Sequence, residues 1–250
     1  MSRVRRVRSA FLAGWYSFVR RRVAVFFTFF FPAILVLVFG ALVRTGSGGG
    51  GLFAEPTGYY VPGYLAVVVL FTPLSRVGSD VARHREGNRF EKLATTPLTR
   101  AEWLLAQVLV NVILVGVAAV LVLGLVVVAT DAAVRPSPLL LAAVPAGTVL
   151  FCGFGALLGR LADSQDGAIT AANAVGLPLL FLSDTFVVPS QLPAWFRPLR
   201  NLSPLTYFAR TARRAVYPGA EGAVAPDALV LFALAAAFFV AGALAIPRTD

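Results

Sequence analysis

The sequence is poor in charged residues, which make up 14% of its 250 positions, against about 25% in soluble globular domains. Hydrophobic residues make up 58%, and the mean hydropathy is +0.79. Several apolar runs reach the roughly 20 residues that a helix needs to cross a bilayer. The composition therefore excludes an ordinary soluble domain and predicts an all-α integral membrane protein.

Residues that carry catalytic and cofactor chemistry are also scarce. The single lysine, Lys92, lies between Glu91 and Leu93, so the phosphate-cradling pattern GxxxxGK[ST] does not occur. The single cysteine, Cys152, lies in an apolar run. The single histidine, His84, stands between two arginines, where we expect a solvated side chain. We predict no catalytic, cofactor-binding or metal-binding residue in this chain.

Arginine is abundant and gives the chain a net charge of +10. In a soluble protein such a charge indicates nucleic acid, but in a membrane protein basic residues gather on the cytoplasmic side and against anionic lipid. We therefore expect membrane lipid as a partner and no nucleic acid. The arginine-rich N-terminus favours a multi-pass protein of the cell membrane with both termini cytoplasmic. Five arginines between positions 197 and 214 then fall on the outer side, against this rule.

Six apolar runs predict six transmembrane helices within a single transmembrane domain, residues 1–250. The predicted spans are 23–43, 59–79, 103–130, 138–159, 167–187 and 228–246. Residues 1–22 have arginines at both ends and apolar residues at helical spacing between them. This pattern predicts an amphipathic helix that lies in the membrane plane before the first span.

The longest polar segment between two apolar runs reads RHREGNRFEKLATTPLTRAEWLLAQ, at residues 83–107. Pro97 disfavours helix at the residue before it, so a short polar helix should end near Ala94. Thr99 and Glu102 stand three apart before an apolar run, which is the pattern of a helix capping box. The segment therefore predicts a short polar helix, a break and a capped helix that begins the third span.

This segment resembles the cytoplasmic segment of ABC type-2 transporter permeases through Arg85-Glu86-Gly87, Leu93, Thr96-Pro97-Leu98 and Glu102. In that family a short coupling helix docks into a groove on an ATPase subunit. A plain solvated loop between two spans is the alternative. The docking residues that the resemblance implies are Arg85, Glu86, Gly87, Arg89, Phe90, Glu91, Leu93, Thr96 and Pro97.

A second group of motifs is similar to the C-terminal signature of the same family: PLLFLS at 178–183, LPAW at 192–195 and NLSPLTY at 201–207. The resemblance implies outer half-helices that re-enter the membrane before the sixth span. We expect one short helix at 193–196 and another that begins after Ser203 as its N-cap. As partners it implies two copies of an ABC ATPase and a second permease chain, identical or different. ATP and Mg²⁺ then belong to the ATPase, and this chain binds no cofactor directly.

Four polar residues in or beside the apolar spans are candidates for a substrate pathway. They are Gln107, Asn111, Asn173 and Asp184. Gln107 and Asn111 lie four apart on one helix face, which also suits hydrogen bonds across a helix interface. For Asp184, contact with a cationic substrate and an ion pair with a nearby arginine such as Arg197 are both open.

The resemblance implies the permease subunit of an ATP-driven exporter that moves an amphipathic or lipid-like compound of the drug or antibiotic type. Export of a polysaccharide or lipid-linked glycan by the same family is an alternative. A self-contained secondary transporter is another, but it would require internal repeats and ionisable residues near mid-membrane, and neither is evident. An intramembrane hydrolase is disfavoured, because the apolar runs hold no paired catalytic groups.

Overall fold

The computed structural model describes residues 2–46, 56–130, 132, 134–186, 192–220 and 223–247, with the backbone alone for 39–46. Within these ranges the chain is helical apart from its connecting turns and contains no strand. This confirms the all-α class that the composition predicts. Residue 187, the predicted end of the fifth span, lies outside the described residues.

The helices follow the apolar runs of the sequence closely. They are α1 (Arg3–Val19), α2 (Arg22–Gly46), α3 (Thr57–Glu86), α4 (Arg89–Ala94), α5 (Arg100–Ala129), α6 (Pro138–Leu161), α7 (Gln165–Leu182), α8 (Pro204–Val216) and α9 (Ala225–Ala245). A 3₁₀ helix, Arg197–Leu202, precedes α8. Each predicted span overlaps one helix, but α3 runs past the predicted end at residue 79, and α7 ends at Leu182, before the predicted end of the fifth span.

Length and apolar composition identify four described helices that can cross a membrane: α3, α5, α6 and α9. A fifth is added if α1 and α2, which bend by 79° at their junction, are counted together as one span. The protein is therefore a helical multi-pass membrane protein. The full set of six spans stays a prediction, with α7 the shortest of the proposed six at 18 residues.

The bend between α1 and α2 makes α1 a separate helix, as its amphipathic pattern predicts. Its apolar side packs against α5, where Phe18 is buried beside Val110 and Leu114. Val4, by contrast, is 78% exposed, so the apolar stripe is uncovered at the start of α1. The guanidinium of Arg76 donates to the Gly14 carbonyl at 3.2 Å, which ties α1 to α3.

The centre of the fold is α6, which packs against both α3 and α9. Glycines allow these backbones to approach one another closely. A Cβ added at Gly155 would lie 2.6 Å from the Leu74 carbonyl oxygen of α3, and one at Gly242 would lie 2.7 Å from the Gly153 carbonyl oxygen of α6. Gly155 thus packs closely against α3.

The region before α9 forms short helices, as the second group of motifs implies. Residues 194–196 form a turn that leads into the 3₁₀ helix rather than the short helix expected there. Ser203 stands at the N-cap of α8, but its hydroxyl donates to the Leu179 carbonyl of α7 at 2.8 Å instead of capping. The Ser203 side chain therefore links α7 to α8 and does not cap α8 as expected.

Candidate functional site

The polar segment at 83–107 folds as a helical hairpin whose tip is α4. The chain leaves α3 at Gly87 and turns through Asn88, whose φ of 48° is left-handed. Asparagine tolerates this conformation because its short side chain adds little steric cost. This turn separates α3 from α4, which begins at Arg89.

Side-chain hydroxyls end α4 and begin α5. Thr95 and Thr96 donate to the carbonyls of Lys92 and Leu93 at 2.8 and 2.7 Å. Thr99 accepts from the Glu102 amide at 3.2 Å while the Glu102 carboxylate accepts from the Thr99 amide at 3.0 Å. The predicted capping box is therefore confirmed.

The Phe90 side chain is buried against its own chain and does not project from α4. The docking hypothesis would require it to be accessible to the ATPase. Its side chain is 5% exposed, with ring centroids 5.3 Å from His84 and 5.4 Å from Trp103. Leu93 is partly buried against the same cluster. His84 is thus partly buried against two aromatic rings, where the sequence predicts a solvated side chain. The apolar side of a short helix can pack against its own chain as well as against a partner. Here Phe90 packs against Trp103 of the same chain.

Arg85 and Glu86 bind the turn between α6 and α7. The Arg85 guanidinium donates to the carbonyls of Arg160 and Ala162 at 2.7 and 2.9 Å. The Glu86 carboxylate accepts from the Gln165 amide, the first residue of α7, at 3.0 Å. These bonds satisfy helix-end groups that lack intrahelical partners. They also join the two turns at this end of the molecule.

The exposed residues around α4 form one continuous surface that contains charged, polar and apolar side chains. We call it the α4 tip, defined as residues 86–89, 91, 92 and 94–97, all exposed. Of the predicted docking residues it includes Glu86, Gly87, Arg89, Glu91, Thr96 and Pro97. The remaining three, Arg85, Phe90 and Leu93, are partly or fully covered by the chain itself.

An ion pair that the sequence analysis did not identify ties α1 to the start of α5. Arg6 donates from Nη2 and Nε to the two carboxylate oxygens of Glu102, at 2.5 and 3.0 Å. The same carboxylate closes the capping box at Thr99. Glu102 therefore joins α1, the turn after α4 and α5 at one point.

The candidate substrate-pathway residues do not lie along one path. Asn111 is fully buried and its amide donates to the Gln107 carbonyl within α5 at 2.8 Å, not across a helix interface. The Asn111 amide prefers this bond because the carbonyl one turn earlier is adjacent. Gln107 lines an inner cavity beside α1 and α4. Asn173 alone of the four lines the larger cavity described next.

This larger cavity, of about 600 Å³, lies between α2, α3 and α7 and reaches the α1–α2 junction. Its walls are mainly apolar and aromatic, including Phe31, Phe71 and Phe181. Polar groups enter at one end, where Arg76 and Asp80 line it. Asp80 pairs with Arg83 at 2.5 Å and lies 3.9 Å from Arg76, so Arg83 is its closer partner.

Asp184 follows the C-terminal end of α7, which is Leu182. It pairs with arginines, which is one of the two roles that the sequence left open. It is 2% exposed, and its carboxylate binds Arg200 and, at 2.5 Å, Arg210. The partner suggested from the sequence was Arg197, whose Nε donates to the Leu192 carbonyl at 3.1 Å. The turn of the 3₁₀ helix brings Arg200 to the carboxylate.

Two comparisons with known proteins agree with this architecture. The model of the ABC-2 type transporter family matches residues 6–217. The chain is 28% identical over 204 residues to the daunorubicin resistance ABC transporter permease protein DrrB1 of Streptomyces coeruleorubidus, covering 76% of this chain and 67% of that protein.

It is also 27% identical over 195 residues to the inner membrane transport permease YhhJ of Escherichia coli K12. That match covers 75% of this chain but 51% of YhhJ, so the chain spans about half the length of this relative. The family match extends over both motif groups, from α1 to the end of α8. The chain therefore belongs to the ABC-2 type transporter family, as the membrane component of an ABC transporter.

Proposed function

We propose that this chain is the permease subunit of an ATP-driven exporter, powered by a separate ABC ATPase that docks on the α4 tip. The proposal rests on the contacts that attach this tip to the rest of the chain. It is exposed, yet it is joined to α5 by the capping box, to α1 through Glu102 and to the α6–α7 turn through Arg85 and Glu86. A displacement of the tip would therefore reach several helices at once.

The proposed assembly has two ATPase copies and a second permease chain, identical or different. The ATPase would hold ATP and Mg²⁺, and this chain would supply the pathway. We place the second permease chain against α2 and α7, the first and fifth proposed spans. Phe27 and Phe30 on α2 are about half exposed and are available for such a contact or for lipid.

The 600 Å³ cavity supports an amphipathic substrate. Ligand sites are mostly apolar with a few polar groups that fix orientation, and this cavity combines aromatic walls with Arg76, Asp80 and Asn173 at its polar positions. The relative named for daunorubicin resistance points to the same class, a compound of the drug type. We therefore favour drug-type export over glycan export.

The transport test uses inside-out vesicles that contain the permease and its ABC ATPase. We expect daunorubicin to accumulate when Mg²⁺ and ATP are supplied, and not in vesicles that lack either subunit. An imposed proton or sodium gradient without ATP should give no accumulation. Accumulation driven by the ion gradient alone would instead identify a secondary transporter and refute the proposal.

The proposed orientation places the N-terminus, the α4 tip and the C-terminus in the cytoplasm. Cys152 is fully buried, so single cysteines can be added without background labelling. In intact cells, a membrane-impermeant maleimide should label cysteine at Ala194 and not cysteine at Thr95. Both positions are exposed, and both should react once the membrane is opened. Labelling of the Thr95 position alone in intact cells would invert the topology.

A further inference from the structure

The arginines between 197 and 214 are held at the end of the molecule opposite the α4 tip. Tyr59 lies in the first turn of α3 and Glu86 at its last residue, about 40 Å apart at the rise of an α-helix. Arg213 of α8 donates to the Tyr59 carbonyl at 3.4 Å. The arginine-rich region thus packs beside the start of α3, where the sequence placed an exception to the positive-inside pattern.

Most of the basic charge here is held by two carboxylates. Asp184 binds Arg200 and Arg210, while Asp227 binds Arg214 at 2.5 Å and lies 3.6 Å from Arg210. These pairs are largely buried, since the arginine side chains are 12–22% exposed. The pairing explains how several arginines are accommodated in one small region.

Arg213 has no carboxylate among its described partners. Its residue exposure is 8%, its Nη2 donates to the Asp184 backbone carbonyl at 2.5 Å, and its guanidinium lies 4.1 Å above the Tyr59 ring. Burial lowers the pKa of the Arg213 side chain, but an arginine stays protonated in proteins. Among the described side chains, four guanidiniums thus face two carboxylates, an excess of two positive charges within this part of the structure.

A cavity of about 290 Å³ opens onto this charge. It is lined by Arg210, Arg213 and Arg214, by Tyr59 and Tyr217, and by the backbone at 219–220. The volume equals that of on the order of ten water molecules, which is enough for a phosphate group with part of a glycerol. The walls contain cationic donors on one helix and two phenol rings, and none of the lining residues that the structure describes is acidic.

We propose that this cavity binds a phosphate-bearing anion, either the headgroup of an anionic phospholipid or free phosphate. The planar guanidinium of arginine can donate two parallel hydrogen bonds to two oxygens of one phosphate group. A net positive charge that is largely withdrawn from water is unfavourable unless an anion compensates it. Basic pockets between membrane helices are a known way to hold lipid headgroups. The site is separate from the 600 Å³ cavity and is independent of ATPase docking.

The test uses the purified full-length permease in a neutral detergent and measures its thermal unfolding midpoint. One arm titrates a short-chain phosphatidylglycerol, with the matching phosphatidylcholine for comparison. The other titrates sodium phosphate against sodium chloride at equal ionic strength. Anything that binds only the folded state raises the midpoint. Stabilisation in the phosphate arm would identify the free anion as sufficient, and stabilisation by phosphatidylglycerol alone would identify the headgroup.

Arg214→Gln removes one lining charge while Asp227 keeps Arg210 nearby. We expect the apparent dissociation constant to rise about tenfold, the effect of one hydrogen-bonded charge. Arg197→Gln is the matched control, because Arg197 is an exposed arginine of the same region that does not line the cavity. Tyr217→Phe is the second variant, since it changes the lining without changing charge, and should weaken binding less.

The proposal is overturned if neither phosphatidylglycerol nor phosphate raises the midpoint above its comparison compound. It is also overturned if Arg214→Gln and Arg197→Gln respond to the anion alike, because the charge would then act from the surface in general. If Arg214→Gln does not fold, Tyr217→Phe decides by the same comparison with Arg197→Gln.

Discussion

Replacing Asp184 by alanine is expected to leave little folded permease in membrane extracts. The carboxylate is 2% exposed and binds Arg200 and Arg210. Removing one partner of a buried ion pair costs about 3–5 kcal/mol, because the remaining charges lose their compensation. Folded proteins are stable by only about 5–15 kcal/mol, so the loss is a large part of the total. Yield after size-exclusion chromatography and the thermal unfolding midpoint measure it.

Two control variants distinguish the effect of losing the ion pairs from the effect of losing any carboxylate. Asp163→Ala removes an exposed carboxylate and should leave yield and midpoint unchanged. The double variant Asp184→Ala with Arg210→Ala should recover part of the loss, because one of the two stranded guanidiniums is gone. An Asp184→Ala variant that unfolds at the same temperature as the wild type would show that the cluster does not stabilise the fold.

Replacing Ala94 by aspartate is expected to lower ATPase co-purification at least about tenfold. Ala94 is exposed, is the last residue of α4 and belongs to the α4 tip. A docked ATPase would cover this position, and an unpaired carboxylate in a covered interface loses hydration without gaining a partner. Co-purification from membranes that contain both subunits measures the loss.

Ala194→Asp is the matched control, since it makes the same change at an exposed alanine near the opposite end of the molecule. Its ATPase co-purification should equal that of the wild type. The unfolding midpoints of both variants should stay close to the wild-type value, because neither side chain is packed. Equal co-purification of the Ala94→Asp and wild-type chains would mean that the ATPase binds elsewhere.

Features that depend on neighbouring residues were predictable from the sequence. The capping box at Thr99 and Glu102 was read correctly because both its bonds join residues three apart. The end of α4 at Ala94 also followed from the nearby Pro97. Local steric and hydrogen-bonding rules govern these positions, and the surrounding fold does not alter them.

Features that depend on distant residues were not predictable. Arg85 and Glu86 bind a turn more than 70 residues away, and Arg6 reaches Glu102 across 96 positions. A polar pattern cannot say whether a charged side chain meets a partner subunit or its own chain. Phe90 illustrates the same limit, because its pocket is formed by Trp103 and His84 only after the hairpin has folded.

The arginines between positions 197 and 214 were predictable only in part. The sequence showed that Asp184 needed a cation and that arginines were close by, so pairing was foreseeable. Which arginine would pair depended on the turn geometry between 197 and 204, which placed Arg200 at the carboxylate. The second carboxylate, Asp227, opens α9 and reaches Arg214 of α8. That contact arises from the packing of α8 against α9.

The central claim, that the ATPase docks on the α4 tip, is tested most directly by site-specific photocrosslinking in membranes. A photoreactive phenylalanine analogue would replace Thr95 or, as the control, Ala194, both exposed. With the ATPase co-expressed, we predict a permease–ATPase adduct from position 95 and none from position 194. If the two subunits co-purify but position 95 gives no ATPase adduct, the α4 tip is not the docking surface.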